Sequence, residues 1–543
     1  MVSAVIVMIT LIGLGFVQRI ATEHKAVTVH GGELQRAALV ESGAELLSVL
    51  AEQPPAARLA AGGLEDNPAL FRAVTVFDDP ASGLHGRVTV LAPHAENDAV
   101  VRLGYGAENE SARLNLAVLL DWDQKSPGAA SRALMALPGM TESIAAAILD
   151  WIDGDDEQRP FGAEADYYAG LSLPYGPRNG IPANIEELLL VRGVSRAMLL
   201  GPDLNANYQI DANEMAGGGA AGASLPWAAL LTVYSGERNV AEDGTPRIDL
   251  NHKDLRQLHQ RLSRVLDPRW ADFIVLYRQF GPCTDEMLAK AEADLQKAQE
   301  AAALAQNAAA QAPEILMPFG PSPGPGAPPE QQGQAFLPGD MAAADVAQAL
   351  AAPPSGSSIP SHPAQIESVL DLIGKKVLIP TPPGQPLQVV ESPFTADHST
   401  MREYLPALLN QTTTTAEKVL PGRINLNLAS RAVLLAVPGI DAQLVERIVA
   451  GRHTTADDPQ RRHPAWPLAE GLCEIDEMKA LLPYLTAGGD VYRAQVVGFF
   501  EEGGAVARAE VVIDATTSPS RQAYRKDLRL AGQGYSWETL AGH

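Results

Sequence analysis

The chain opens on an apolar run that passes without a break into a helical pattern. Residues 1–17 carry no charge and are mostly apolar, with Val5, Ile6, Val7, Met8, Leu11, Ile12, Leu14 and Phe16 among them. As a helix this run spans roughly 26 Å at ~1.5 Å per residue, slightly short of a ~30 Å hydrocarbon core. Beyond it, Leu34, Ala38, Val40, Leu46, Leu47 and Leu50 keep a helical rhythm to about residue 51. A secretory signal peptide would begin with basic residues and close on a small-residue cleavage site, and neither is present. The pattern predicts a single-span anchor leading into an amphipathic helix, with the bulk of the chain outside the cytoplasm.

Period-two patterning follows, at both ends of what remains. Runs rich in β-branched residues at 71–77, 86–91 and 99–103 are separated by Asp78-Asp79-Pro80 and Ser82-Gly83, which predicts a meander. Comparable runs return only at 491–500, 505–513 and 528–537, with Glu501-Glu502-Gly503-Gly504 as a hairpin turn between the first two. The economical reading is one sheet interrupted by a very long, mainly helical insertion. Separate N- and C-terminal sheets are the alternative.

Inside the insertion a pattern repeats. Leu114-Asn115-Leu116, Ile248-Asp249-Leu250-Asn251 and Ile424-Asn425-Leu426-Asn427 each open a helical segment. The first and third copies reach Pro138-Gly139 and Pro438-Gly439 between two apolar helices, and the second is degenerate, with Leu262-Ser263 where Pro-Gly would fall. Asn or Asp supplies capping oxygen and Pro-Gly a tight turn, so these read as helix-hairpin-helix-like units. Residues 285–311, rich in Ala, Glu, Lys and Gln, are expected to be helical at least in part. Residues 313–363, with Pro-Gly and Ser-Gly stretches, read as a linker.

Composition narrows the class. At 543 residues, several domains are expected, and a formal net charge of −24 speaks against a general nucleic-acid binder. Cys283 and Cys473, the only two cysteines, cannot build a disulfide scaffold; they form either one bridge or two separate buried thiols. No metal-ligating His/Cys spacing, Gly-x-Ser-x-Gly or Walker loop is present, so the chain does not read as an enzyme. His252 and His259 read as surface or capping residues.

The sharpest chemical signal is an acidic loop. Asp203, Asn205, Asn207, Asp211 and Glu214 place oxygen-bearing side chains at positions 1, 3, 5, 9 and 12, and Gln209 offers its carbonyl at position 7. That is the EF-hand ligand pattern for Ca²⁺, with Tyr208 at position 6, where Gly normally makes the turn. Asp153, Asp155, Glu157 and Glu164 fall at positions 1, 3, 5 and 12 of a second such loop, spoiled by Pro160 at position 8. The first loop is expected to hold a structural Ca²⁺ and the second is the weaker candidate, a polar turn without metal being the alternative at each. For the hairpin units, Thr141 and Asp441 stand where a phosphate-binding Gly would lie, although the third copy carries Arg423, Arg431, Arg447, Arg452, Arg461 and Arg462. Packing between proteins is the expected use of these units, and DNA binding the alternative.

The order of these elements, and residues 150–194 above all, resembles the K-type minor pseudopilins of the type II secretion system, the general secretion pathway protein K family. An apolar segment running into an amphipathic helix is how pilin-like subunits begin. Pilin-like precursors carry a short basic leader ending in Gly; here Met1 abuts the apolar run, so the leader is absent or the start has been placed downstream of it. The apolar run holds no Glu, as the resemblance implies, since K-type subunits lack the acidic residue used to dock beneath a neighbour.

The resemblance implies an α+β fold: a pilin-like N-terminal helix plus antiparallel sheet, with a large mainly helical insertion containing helix-hairpin-helix-like (SAM-like) units. The expected divisions are 1–51 for anchor and helix, 52–111 for the first strands, and 112–284 for the first two units with the calcium-like loop. Residues 285–363 form the linker, 364–486 the third unit, and 487–543 the last strands. It further implies a place at the tip of a short pseudopilus, in the inner membrane with its bulk in the periplasm. The partners are I- and J-type minor pseudopilins, with no nucleic acid and no small-molecule substrate. K-type proteins hold calcium, without the resemblance identifying the ligands. The rival reading is a membrane-anchored DNA-uptake protein.

Overall fold

The computed structural model describes residues 2–81, 83–95, 101–211, 214, 225–310, 335–336, 363–379, 388–452 and 458–542. Helix α1, Val2–Glu52, is continuous, and its first part is long and apolar enough to cross a membrane. Its second half is seated on protein. Leu39, Val40, Ala44, Leu47 and Ala51 line one face at helical spacing and pack on Val88, Val90, Ala494, Val496 and Val511.

That surface is one antiparallel sheet of seven strands: β1 (Val74–Asp79), β2 (Leu84–Ala95), β3 (Val101–Tyr105), β4 (Glu108–Asn109), β5 (Val491–Phe500), β6 (Ala507–Asp514) and β7 (Arg521–Asp527). The main order is β1-β2-β5-β6-β7, with β3 on β2 and β4 on β5. Register is set across the insertion: Gln495 faces Leu91 and Phe500 faces Gly86. Strands from the two ends of the chain therefore share one sheet. The opposite face is covered by the C-terminal segment, where Leu91, Val497 and Phe499 meet Tyr535 and Leu540. Coverage on both faces explains why β5 is apolar with little alternation.

Three strand boundaries differ from the sequence reading. Phe71 closes a helical turn, Pro68–Phe71, because Pro68 suits a first helical position, so the strand starts only at Val74. Of the 99–103 run, residues 99 and 100 lie outside the described residues, and β3 extends to Tyr105. The expected strand at 528–537 is wrong: that stretch holds a short 3₁₀ turn, Arg529–Ala531, and the start of the terminal helix Trp537–Ala541. The last strand is β7 instead, an edge strand whose charged sequence, Arg521-Gln522-Ala523-Tyr524-Arg525-Lys526-Asp527, hides it from a search for apolar runs.

Gly43 lets α1 lie close to the sheet. A Cβ there would stand 2.5 Å from Val496 Cγ1 and 2.5 Å from Val88 Cγ1. Gly43→Leu should lower the unfolding free energy by about 1–3 kcal/mol through overpacking. Urea unfolding checks this, and an unchanged midpoint would mean that the helix does not need this close seat.

The insertion has one hydrophobic core, drawn from residues 114–280 and 366–485 together. Its helical hairpins are α2–α3 (Ala129–Met135, Glu142–Ile152), α4–α5 (Leu255–Val265, Pro268–Phe280) and α6–α7 (Arg431–Leu435, Ala442–Gly451). Gly139 and Gly439 turn with φ of +69° and +79°, which favours glycine. In the middle copy Leu262 and Ser263 lie inside α4, not in the turn. The turn comes at Asp267, which caps α5 ahead of Pro268 at its first position.

Each repeated opening pairs in parallel with a later segment: Leu114–Asn115 with Leu231–Thr232, Ile248–Asp249 with Thr412–Thr413, and Ile424–Asn425 with Leu485–Thr486. The side chains of Asn115, Asp249 and Asn425 each accept from the backbone N–H two residues on, which is why Asn or Asp recurs there. Asp285–Ala310 is helical as expected, whereas the 313–363 linker lies outside the described residues apart from Ala335–Phe336 and residue 363. Cys283 and Cys473 are free thiols.

Candidate metal centre

Two acidic loops were candidates, and they differ in what already satisfies their oxygens. In the 203–214 loop, Tyr208 takes the left-handed conformation, φ +63°, that Gly would adopt at position 6. Its half-buried ring and the hydroxyl donating to Glu510 at 3.3 Å pin the loop on the sheet, beside Arg508, which donates to the carbonyls of Asn205 and Ala206. Asp203, Asn205, Asn207, Asp211 and Glu214 come together here. Glu214 accepts from the backbone of Leu204 at 2.8 Å and Asp211 at 2.9 Å, and Asp203 from Tyr208 at 2.8 Å. The amides of Asn205 and Asn207 donate to Asp211 at 2.6 and 3.3 Å. Gln209 donates its N–H to Asn207 at 2.8 Å. Only the side-chain oxygen of Asn205 is buried without a partner. Ala212 and Asn213 lie outside the described residues.

The second loop is assembled differently. Asp155 and Glu157 are exposed, and the Asp155 carboxylate accepts from the Glu157 N–H at 2.9 Å in a local turn. Asp153 and Glu164 instead meet Asp150, which the EF-hand template passed over. Among the described residues these three form the acidic group whose ligand oxygens lie within 4.8 Å of one another. They are 0%, 6% and 4% exposed. Asp150 sits in the last turn of α3, whose apolar side chains are fixed in the core, and Asp153 caps the same helix. Glu164 returns from the following loop. A Cβ on Gly162 would stand 1.9 Å from Asp150 Oδ2, so the loop closes on the carboxylates only through glycine.

Four carboxylate oxygens here are buried without a hydrogen-bond partner: Asp150 Oδ2, Asp153 Oδ1, and both oxygens of Glu164. Burying an anion unpaired is costly. Desolvation, with Asp150 and Asp153 adding repulsion, pushes the Glu164 carboxyl up to about 7. Arg159 answers part of the charge, pairing with Asp150 at 3.0 Å and also with Asp153. The donor set is all oxygen, which suits a hard divalent cation. The signal in the sequence was the three-residue interval from Asp150 to Asp153 across a helix end, not the loop spacing.

The hairpin turns are poor phosphate sites. Thr141 Oγ1 accepts from Ile144 N–H at 3.4 Å, and Asp441 from Gln443 and Leu444 at 3.0 and 3.2 Å, so the helix N-termini are capped by their own side chains. Arg431 pairs with Glu446, Arg461 with Glu470 and Arg462 with Glu242. His252 accepts from Asp254 N–H, and His259 pairs with Asp272 at 2.7 Å.

Residues 112–200, which include Asp150, Asp153 and Glu164, match the family model described as Type II secretion system (T2SS), protein K. Over 53 residues, 10% of this chain, the sequence is 45% identical to Type II secretion system protein K of Pectobacterium carotovorum subsp. carotovorum. The match spans 16% of that relative's length. A solved structure, the GspK-GspI-GspJ complex from the enterotoxigenic Escherichia coli Type 2 Secretion System, aligns over 93% of this chain and 99% of the matched chain. The identity is 13% and the TM-score 0.31, too loose a superposition to set fold or partners.

Proposed function

We propose, from the match of residues 112–200 to the protein K family of the type II secretion system, that the chain is a K-type minor pseudopilin acting in protein export. The family match over the first helical unit carries this reading. The apolar first part of α1 supports a single-pass anchor in the inner membrane, leaving the sheet and insertion in the periplasm. The exposed length of α1 below Leu39 is free to pack with helices of I- and J-type minor pseudopilins, and the broad insertion would cap the tip of the pseudopilus. The paired helices then serve as helix-hairpin-helix-like, SAM-like packing units, supported by their Pro-Gly turns and by the absence of an open helix N-terminus for phosphate at Thr141 or Asp441.

Calcium belongs to the same proposal. Asp150, Asp153 and Glu164 are its first site, on the strength of their unpartnered buried oxygens. The loop of Asp203, Asn205, Asn207, Gln209, Asp211 and Glu214 is the second, where both amides must turn their oxygens inward to complete a ligand set. A bound divalent cation, together with Arg159, would balance the three clustered carboxylates and tie the end of α3 to the following loop.

A tagged full chain, solubilised from membranes in detergent, should co-purify with I- and J-type pseudopilins when the captured proteins are identified by mass spectrometry. Capture without any pseudopilin overturns the assembly reading. Removing residues 2–17 should release a folded, soluble protein that no longer supports export. Membrane retention of that variant in the absence of partners overturns the single anchor.

A further inference from the structure

A cavity of about 1080 Å³ lies where the segment after α1 meets the second and third helical units and the start of β5. Although the chain carries a formal net charge of −24, this wall gathers eight Arg and Lys side chains against six Asp and Glu. One of the six, Glu65, has its carboxyl pushed up to about 7 by burial and by Glu108. The cavity is thus a cationic recess in an anionic protein.

Most of its cations are already matched. Asp490 takes Arg58 at 2.9 Å and Arg238 at 3.1 Å, and Glu470 takes Arg461 at 2.6 Å. Arg423 is different: it lines the cavity and, among the described residues, makes no hydrogen bond or ion pair. Glu237 is the carboxylate whose charge reaches it, but Glu237 Oε1 is held by Arg247 at 3.3 Å and Oε2 by the Thr486 hydroxyl at 2.7 Å. Burial lowers the Arg423 pKa in spite of Glu237, as expected of a desolvated cation without its own counter-charge. A second observation lies on the same wall. His463 is 4% exposed, and neither ring nitrogen has a partner. Arg423 is half-buried and His463 buried, and a guanidinium without a protein counter-charge beside a buried imidazole without a partner, in one cavity, points to something that completes them.

We infer that this cleft binds a compact oxyanion, a carboxylate- or phosphate-type group, with Arg423 as its charge partner. A guanidinium meets two oxygens of such a group at once, and the bound anion supplies the counter-charge that Arg423 lacks. The volume is that of a small-molecule site, so the group belongs to a small ligand or to the end of a chain. His463, with its pKa pushed down to about 4 by burial and then by Arg461, stays neutral near pH 7 and supplies a donor without adding charge.

The test is calorimetric titration of the detergent-solubilised full chain at fixed millimolar calcium, with succinate and separately with sulfate as the tetrahedral dianion. Saturable binding of at least one is expected, weakened roughly tenfold or more by Arg423→Gln and less by Arg423→Lys. Arg529→Gln, at the exposed pair with Asp527, should leave binding unchanged. Binding of succinate alone assigns a carboxylate ligand, and of sulfate alone a phosphate-type one. No saturable heat from either anion overturns the inference, and so does equal binding by the Gln variant. Should that variant fail to fold, the Lys variant provides the same comparison, and undiminished affinity there overturns it.

Discussion

Calcium added to the detergent-solubilised full chain should raise its thermal midpoint by about 2–3 °C, and EDTA should reverse the gain. A ligand at a hundred times its dissociation constant stabilises by about 2.7 kcal/mol, which in a chain of this size corresponds to a few degrees. The cause lies at Asp150, Asp153 and Glu164, whose unpartnered oxygens repel one another until a cation enters. Without metal the pH dependence has a definite sign. The Glu164 carboxyl is raised in the folded state from 4.5 to about 7, so its contribution is complete below pH 4.5 and is lost as pH climbs through 7. Stability in EDTA should therefore fall over that window, and calcium should oppose the fall, because the metal takes the ionised form. Glu164→Gln then carries a double signature. In EDTA at pH 7.5 it should match or exceed the wild type, whereas in calcium it should lack most of the gain. Differential scanning calorimetry reads both arms, and a midpoint indifferent to millimolar calcium would remove the metal site while leaving the family assignment untouched.

Arg493→Met should be among the most damaging single changes, lowering the unfolding free energy by about 3–5 kcal/mol. Arg493 lies in β5 and joins Glu110, at 2.5 Å, to Glu510, at 2.5 Å, where the sheet meets the root of the insertion. Glu110 is fully buried. Burial alone would push its carboxyl upward, and Arg493 with Arg113 more than reverses this. Remove the guanidinium, and buried Glu110 loses its principal counter-charge while half-buried Glu510 loses its partner. Replacing Glu110 by Gln and Glu510 by Leu in the same chain should recover much of the loss, since the penalty comes from the stranded charges. By contrast, Arg529→Gln breaks an exposed pair and should cost about 0–1 kcal/mol. Urea unfolding followed by near-ultraviolet circular dichroism separates the two, and a loss below about 1 kcal/mol for Arg493→Met would contradict the proposed role of the network.

What could be read from the sequence depended on how many residues shared one signal. The helix through residue 51 and strand β5 were legible because each repeats a burial demand many times over. The three Asn/Asp openings were legible for a related reason, since each makes the same local hydrogen bond. Strand β7 was not, because an edge strand facing water keeps its pairing with charged side chains. The partners of the openings, Leu231–Thr232, Thr412–Thr413 and Leu485–Thr486, were missed because two residues carry no period. In the candidate metal centre, Asp153 and Glu164 were picked out by a spacing template that assumes a single continuous loop. Asp150 was passed over because it belongs to the helix before that loop, and its role depends on how α3 ends.

The order of the strands also sets a timetable. β2 finds two neighbours, β1 and β3, within a few residues, but the third, β5, begins only at Val491. A ribosome adding roughly 5–20 residues per second needs on the order of 20–80 s to travel that far. Once Leu485 has emerged, the insertion has every residue that its core requires. The sheet does not, and the inner face of β2 stays without its central strand until almost the last fifty residues have emerged. The body in the middle of the gene is thus ready to mature first, and the platform beneath it is closed last by the tail of the chain.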